Sequence, residues 1–198
     1  MAAAAAVPGR GDVREQAILA ATYDLLAVVG YERLTMDAVA EHAHASKTTI
    51  YRRWPNKAAM VVAAFAAMDP PPTTELDTGG LRGDLLALVR AVRERFTGAN
   101  LPRMSSLMFA MQSDPELAMA LRAYFLPIRA ALTCDLLDRA DARGEIPAGL
   151  DPAPLRDLTV GALLTRVLVT GEPVDDAYLD ALVDGVLLPM LSAPRPTN

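Results

Sequence analysis

Apolar positions recur every three or four residues along most of this chain, and the runs are separated by Gly, Pro and capping residues. That spacing predicts helices and no strands. Ile18, Ala21, Leu25 and Val29 mark a first helix of about 17 residues closed by Gly30. Met36, Val39, Ala40 and Ala43 give a short second helix, opened by Thr35 as N-cap and favoured by Asp37 near its positive end. Ser46 caps a third, in which Lys47, Thr48, Tyr51 and Arg52 fall on one side, while Ile50 and Trp54 face elsewhere. Pro55 stops it, and Asn56 caps a fourth that carries Met60, Ala64, Phe65 and Met68.

After the prolines at 70–72 and a Thr- and Gly-rich stretch, Leu81, Leu85, Leu88, Val92 and Phe96 step along a fifth helix, and Met104, Leu107, Met108 and Met111 along a short sixth. Asp114 caps a seventh with Pro115 at its first position, continued by Leu117, Leu121, Tyr124, Ile128 and Leu132. Pro127 lies inside it, so a kink or two abutting helices is expected there. Asp151 opens an eighth (Leu155, Leu158, Ala162, Leu163) that stops at Gly171, and Asp175 opens a ninth (Leu179, Leu182, Val183, Val186, Leu187, Met190). The expected architecture is therefore all-α, with about nine helices. An N-terminal three-helix helix-turn-helix domain precedes a larger helical domain. The expected boundaries are a disordered arm at 1–12, the DNA-binding domain at 13–55, a connecting helix at 56–69, a linker at 70–80 and the larger domain at 81–194.

The stretch from Thr35 to Lys57 carries the chemistry. Two short helices and a tight turn put long donors and hydroxyls on the outward side of the second helix, a surface suited to phosphates and base edges. The run SKTTIYRRWPNKAAM, preceded by ILAATYDLLAVVGYERLTMDAVAEHA, resembles the N-terminal domain of the TetR family of transcriptional regulators over roughly residues 13–65. The resemblance implies base contacts from Lys47 and Thr48. It implies phosphate contacts from Thr35, Ser46, Thr49, Tyr51, Arg52, Arg53 and Lys57. It also implies a homodimer, a double-stranded operator and a helical ligand-binding domain. One position departs from the family pattern: His44 stands in the turn where a Gly is usual, and a turn residue there calls for positive φ or offers a side chain to a phosphate.

Charge supports one DNA-facing surface on an otherwise acidic molecule. The net charge is −5, but residues 1–68 hold seven Lys and Arg against six Asp and Glu, whereas the remainder holds twelve against eighteen. Both lysines, Lys47 and Lys57, lie in the candidate DNA-binding stretch. Arg10 and Arg14 are further candidates for the DNA backbone or minor groove.

The last two helices hold more apolar residues than one face needs. Leu158, Ala162, Leu179, Leu182, Val183, Val186, Leu187 and Met190 are the expected dimer interface, a four-helix bundle with two helices from each subunit. Met104, Met108, Phe109, Met111, Gln112, Tyr124, Phe125 and Arg166 are the candidate pocket for a small hydrophobic inducer, with Met119 nearby and Arg90 and Arg93 as further polar anchors.

Enzymatic readings find little to stand on. His42 and His44 do not share a face, no metal-ligand cluster accompanies them, and Cys134 has no histidine beside it in sequence. No cofactor and no catalytic residue is expected. No apolar run reaches the length that spans a bilayer, the Ala-rich start lacks the pattern of a signal peptide, and a lone cysteine fits a reducing cytoplasm. The expected function is a repressor binding a pseudo-palindromic operator as a dimer and released by a small apolar ligand. The competing readings are a constitutive or activating regulator without inducer, and a protein-binding adaptor docked on DNA.

Overall fold

The computed structural model describes residues 10–69 and 76–192, with side chains from Asp12 onward. The expected arm as far as residue 9, the Arg10 side chain, residues 70–75 of the expected linker and the tail from 193 lie outside the described residues. Among the described residues there are helices and no strands: α1 (Arg10–Arg33), α2 (Met36–His42), α3 (Lys47–Arg53), α4 (Lys57–Met68), α5 (Leu81–Arg95), α6 (Leu101–Ala110) and α7 (Pro115–Ala142). α8 (Pro152–Leu164) runs on through a π-helical stretch, Thr165–Thr170. α9 (Asp176–Leu182) continues through a π turn, Val183–Leu187, to a last stretch, Leu188–Ser192. Counted as continuous rods, the described helices number nine, as the spacing predicts.

Each boundary has a local cause. Gly30 adopts φ 73, ψ 168, a conformation that a residue with a Cβ rarely takes, and this breaks the regular part of α1 where the sequence places its end. The side chains of Thr35, Ser46, Asn56, Asp151 and Asp175 each accept from a free backbone N–H in the first turn of the helix they open. α7 runs through Pro127 as a single helix, so of the two outcomes expected there, two abutting helices do not form. A proline removes only one hydrogen bond of the ladder, and the adjoining turns hold the rod together.

The described residues form two compact units. The first comprises those of Met1–Pro71 with Pro102–Arg122, the second those of Pro72–Leu101 with Ala123–Asn198. In the first, α1 packs along α4 around Ile18, Ala21, Leu26, Met60, Val61, Ala64 and Phe65, all buried. The predicted stripe on α1 is slightly rotated: Leu25 and Val29 are half-buried, and Leu26 takes the central place. A strict four-residue step drifts off a 3.6-residue helix, so the next residue along moves into the face.

The second unit has a core of Leu85, Leu88, Val89, Leu136, Leu155, Leu163, Leu179, Val183 and Leu187. Here the expected dimer interface is corrected. Leu179, Leu182, Val183 and Leu187 are buried in their own subunit, Ala162 and Met190 are half-buried, and Leu158 and Val186 are exposed. The surplus apolar residues on these helices thus divide between a face turned to the core and an outer stripe. That stripe also includes Leu168 and Val169, at 39% and 78% exposure.

A charged cluster sits inside the second unit. Asp84, wholly buried, accepts from Thr78 N (2.6 Å), Thr78 Oγ1 (2.7 Å) and Arg143 Nη2 (2.8 Å). Gly83 makes this possible, because a Cβ there would stand 2.1 Å from Thr78 Oγ1. Burial pushes the Asp84 pKa up, yet the donors from Thr78 and Arg143 outweigh it and hold the carboxyl below its ordinary value.

The expectation that no segment is long and apolar enough to span a bilayer is also corrected. By length and composition α7 passes that test, because most of its charges lie toward its C-terminal end and leave an 18-residue window with no more than two.

Candidate nucleic-acid interface

α3 is only seven residues long and is too short to hold its shape alone. Burial fixes it: Ile50 is fully enclosed and Trp54, just past its C-terminus, is 7% exposed. With those two turned inward, Lys47, Thr48, Tyr51 and Arg52 are all exposed, as the helical offsets require. Tyr51 is 53% exposed, unusual for so large a ring without a partner to cover it.

At the head of α3, Ser46 Oγ accepts from Thr49 N (3.2 Å) and shares a 2.7 Å hydroxyl contact with Thr49 Oγ1. Lys47 Nζ donates to Asp37 Oδ2 at 2.6 Å, a bond that raises the lysine's pKa and keeps it fully charged. Both side chains are largely in water, so exchanging the carboxylate for a DNA acceptor costs little. Arg53 pairs with Glu15 of α1, tying the end of α3 to the first helix.

The turn between α2 and α3 is strained at one residue. His44 has φ 49, the single non-glycine with positive φ among the described residues, and its carbonyl accepts from Arg14 Nη2 at 2.8 Å. Arg14, a candidate for DNA, thus belongs to α1 and clamps the turn. A left-handed residue with a Cβ costs about 1–2 kcal/mol, while glycine loses more chain entropy on folding. His44→Gly is therefore expected to raise stability by up to about 1 kcal/mol. Thermal unfolding would show a higher midpoint, and a lower one would mean that the histidine side chain has a compensating contact.

Lys57 departs from the simple picture of a cation offered to a phosphate. It is half-buried, donates to Tyr31 O at 2.9 Å and lies 4.0 Å from the centre of the Tyr31 ring. Tyr31 is a hub that the sequence reading missed. Its ring is buried, its hydroxyl donates to Asp114 Oδ2 (2.7 Å), and its backbone N–H donates to Ser106 Oγ (2.6 Å). Burial first, then the Asp114 bond, push the Tyr31 pKa well up, so it stays a neutral donor. Asn56 Nδ2 on Glu116 (3.0 Å) and Ser113 Oγ on Glu32 (3.1 Å) extend the same seam, so α1, α4, α6 and the start of α7 are joined by polar bonds. The signal available in sequence was a lone aromatic immediately after the helix-breaking Gly30.

The candidate inducer residues divide between the units. In the first, Met104 is buried, Met108 and Met111 are half-buried, Gln112 is exposed and Phe109 is 70% exposed. In the second, Tyr124 and Phe125 are half-buried and meet edge to face at 4.9 Å. Arg166 has partners already: Glu172 (2.6 Å), Pro173 O (2.8 Å) and the Tyr178 ring (4.1 Å). Arg90 and Arg93 face Asp176. An open groove in the second unit is lined by Thr78–Gly83, Glu145, Leu188 and Ser192, none of them a predicted ligand residue.

A short polar helix, outward-facing and anchored by a buried Ile and Trp on two supporting helices, defines the class: a helix-turn-helix DNA-binding protein. Comparison with known proteins gives the family. Residues 18–64 match the model for bacterial regulatory proteins of the tetR family, and residues 75–186 match the tetracyclin repressor-like C-terminal domain. The chain is 40% identical over 183 residues to the DNA-binding transcriptional repressor TetR of Mycobacteroides abscessus, covering 92% of this chain and 96% of that one. It is similar to the solved structure of the TetR family transcription regulator SCO0332, at 36% identity and TM-score 0.71 over 91% and 99% of the two chains. It also shares a fold with FadR of Bacillus subtilis, solved in complex with stearoyl-CoA, at 20% identity and TM-score 0.66 over 90% and 98%. The chain belongs to the TetR family of transcriptional regulators, and it is a DNA-binding repressor.

Proposed function

We propose that this repressor binds a pseudo-palindromic operator as a homodimer and leaves it when a small apolar ligand occupies its larger domain. Residues 13–55 serve as the DNA-binding domain, 56–69 as the connection and 81–194 as the ligand-binding and dimerisation domain. The observation that carries the DNA reading is the outward face of α3, which groups the exposed side chains of Lys47, Thr48, Tyr51 and Arg52. Lys47 and Thr48 read bases, while Thr35, Ser46, Thr49, Tyr51, Arg52, Arg53 and Lys57 hold phosphates. Arg53 and Lys57 must share or give up the partners they have in the free protein. The outer stripe of Leu158, Leu168, Val169 and Val186 supports pairing through α8 and α9, which sets two copies of α3 about one DNA turn, roughly 34 Å, apart. A ligand that prefers the non-binding state then weakens DNA binding by linkage.

Selection of bound fragments from a random DNA pool, repeated with a panel of hydrophobic compounds, tests both halves of the proposal. Recovery of a site without two-fold symmetry would argue against the dimer on DNA. On the selected operator, Lys47→Ala is expected to cost about 1–3 kcal/mol and to relax preference at one position. Tyr51→Phe should weaken all sequences alike. Equal losses for Lys47→Ala across an operator mutation set would remove its base-reading role.

A further inference from the structure

Among the described residues, no carboxylate lies within ion-pair distance of Arg129 on α7. Elsewhere in the second unit, arginines face acids: Arg82 on Asp180 and Asp184, Arg93 on Asp176, Arg143 on Asp84 and Glu145, Arg166 on Glu172. Arg129 is half-buried, and among the described residues its guanidinium makes one hydrogen bond, from Nη2 to the carbonyl of Arg156 on α8 at 2.8 Å. That contact brings it beside a second cation, since Arg156 carries its own guanidinium. Burial and the Arg156 charge together push the Arg129 pKa below its ordinary value.

The neighbouring polar groups do not compensate. Thr133 and Thr159 are both buried, and each spends its hydroxyl on its own helix, on Arg129 O (2.9 Å) and Arg156 O (3.0 Å) respectively. Asp157 is largely in water and pairs with Arg156 at 3.4 Å. A partly desolvated cation facing a like charge is costly unless an anion completes the set. The surroundings are also apolar: Phe125, Leu126 and Leu132 stand three or four residues from Arg129 and so share its side of α7, and Tyr124 packs its ring against Phe125.

We propose that Arg129, assisted by Arg156, receives the carboxylate of a small amphiphilic organic acid whose apolar part lies along Phe125 and Leu126. A guanidinium fork matches a carboxylate with two parallel N–H···O bonds, which fixes the ligand's orientation as well as its charge. This rests on the reading that a small ligand controls DNA binding, and it narrows that ligand from apolar in general to an apolar acid.

The test uses the full chain, with octanoate as probe, 1-octanol as its uncharged counterpart and inorganic phosphate as a charge without a tail. Each is followed by thermal shift and by release of labelled operator. Octanoate is expected to raise the unfolding midpoint and release DNA, and the other two are expected to do neither. Arg129→Gln should weaken the octanoate response about ten-fold or more. Arg129→Lys, which keeps the charge but not the fork, should fall between. Equal responses to octanoate and octanol would overturn the proposal, as would an unchanged octanoate response in Arg129→Gln and Arg129→Lys. So would an Arg129→Gln variant that loses the dimer while keeping that response, because the missing anion would then be a carboxylate of a second copy. Operator release by neutral compounds but not by octanoate would sink the acid and leave the ligand-controlled repressor standing. No release by either kind would remove both.

Discussion

Replacing Asp84 with alanine is expected to cost about 3–5 kcal/mol of stability. The carboxylate is wholly buried, and its removal takes the acceptor from the Thr78 N–H and from Arg143 Nη2, while Arg143 keeps Glu145 and Asp77 and the Thr78 hydroxyl keeps Gly80 O. Arg139 stands to lose as well, since its Nε lies 4.0 Å from Asp84 Oδ2 and has no hydrogen-bond partner among the described residues. Asp84→Asn keeps the shape but places an amide NH₂ against the donors, so it should recover only part of the loss. Urea unfolding followed by circular dichroism reads the difference directly. The pH dependence has a definite sign. Because the folded protein holds the Asp84 pKa below its ordinary 3.8, the stabilisation is present above that value and is lost as pH falls through the lower folded value. The alanine variant should therefore lose less stability than the parent as pH falls below the ordinary carboxylate value of 3.8. A parallel acid profile in the two proteins would mean that the carboxylate is not charged inside the fold.

Ile50→Ala is expected to abolish high-affinity operator binding, although no atom of Ile50 reaches the surface. The substitution costs about 2–5 kcal/mol through lost burial and the cavity left behind. A seven-residue helix has no independent stability with which to absorb it. Its polar side chains would remain in the chain but no longer be held in register, so affinity should fall by well over ten-fold. That loss should be larger on the operator than on random duplex, because base reading fails along the whole of α3 and not at one position as in Lys47→Ala. Fluorescence anisotropy with labelled operator, paired with Trp54 emission as a probe of α3 packing, separates the two. Unchanged affinity with altered Trp54 emission would show that α3 is positioned by something other than its buried anchors.

How legible each feature was depends on whether it is local. The cap at Ser46, the stop at Pro55 and the spacing of Lys47, Thr48, Tyr51 and Arg52 sit within a dozen residues, and one helical turn relates them, so the reading face of α3 was visible in the sequence. The His44 turn was visible too, because a Cβ-bearing residue where the pattern asks for glycine is a conflict between neighbours, and the positive φ is its outcome. Asp84 was not visible: it lies on the apolar side of α5, and its partners Arg139 and Arg143 come from more than fifty residues away. Tyr31 was missed for the same reason, since Asp114 and Ser106 lie 83 and 75 residues further along the chain.

By itself, the sequence determined the helices, their caps and the outward chemistry of α3, because hydrogen bonds within a helix and the 3.6-residue period act between near neighbours. Only the tertiary structure decided which of two apolar faces on α8 and α9 is core and which is surface, and that Arg129 sits half-buried without an acid among the described residues. Both depend on what other helices bring alongside, and burial and charge pairing act through space rather than along the chain.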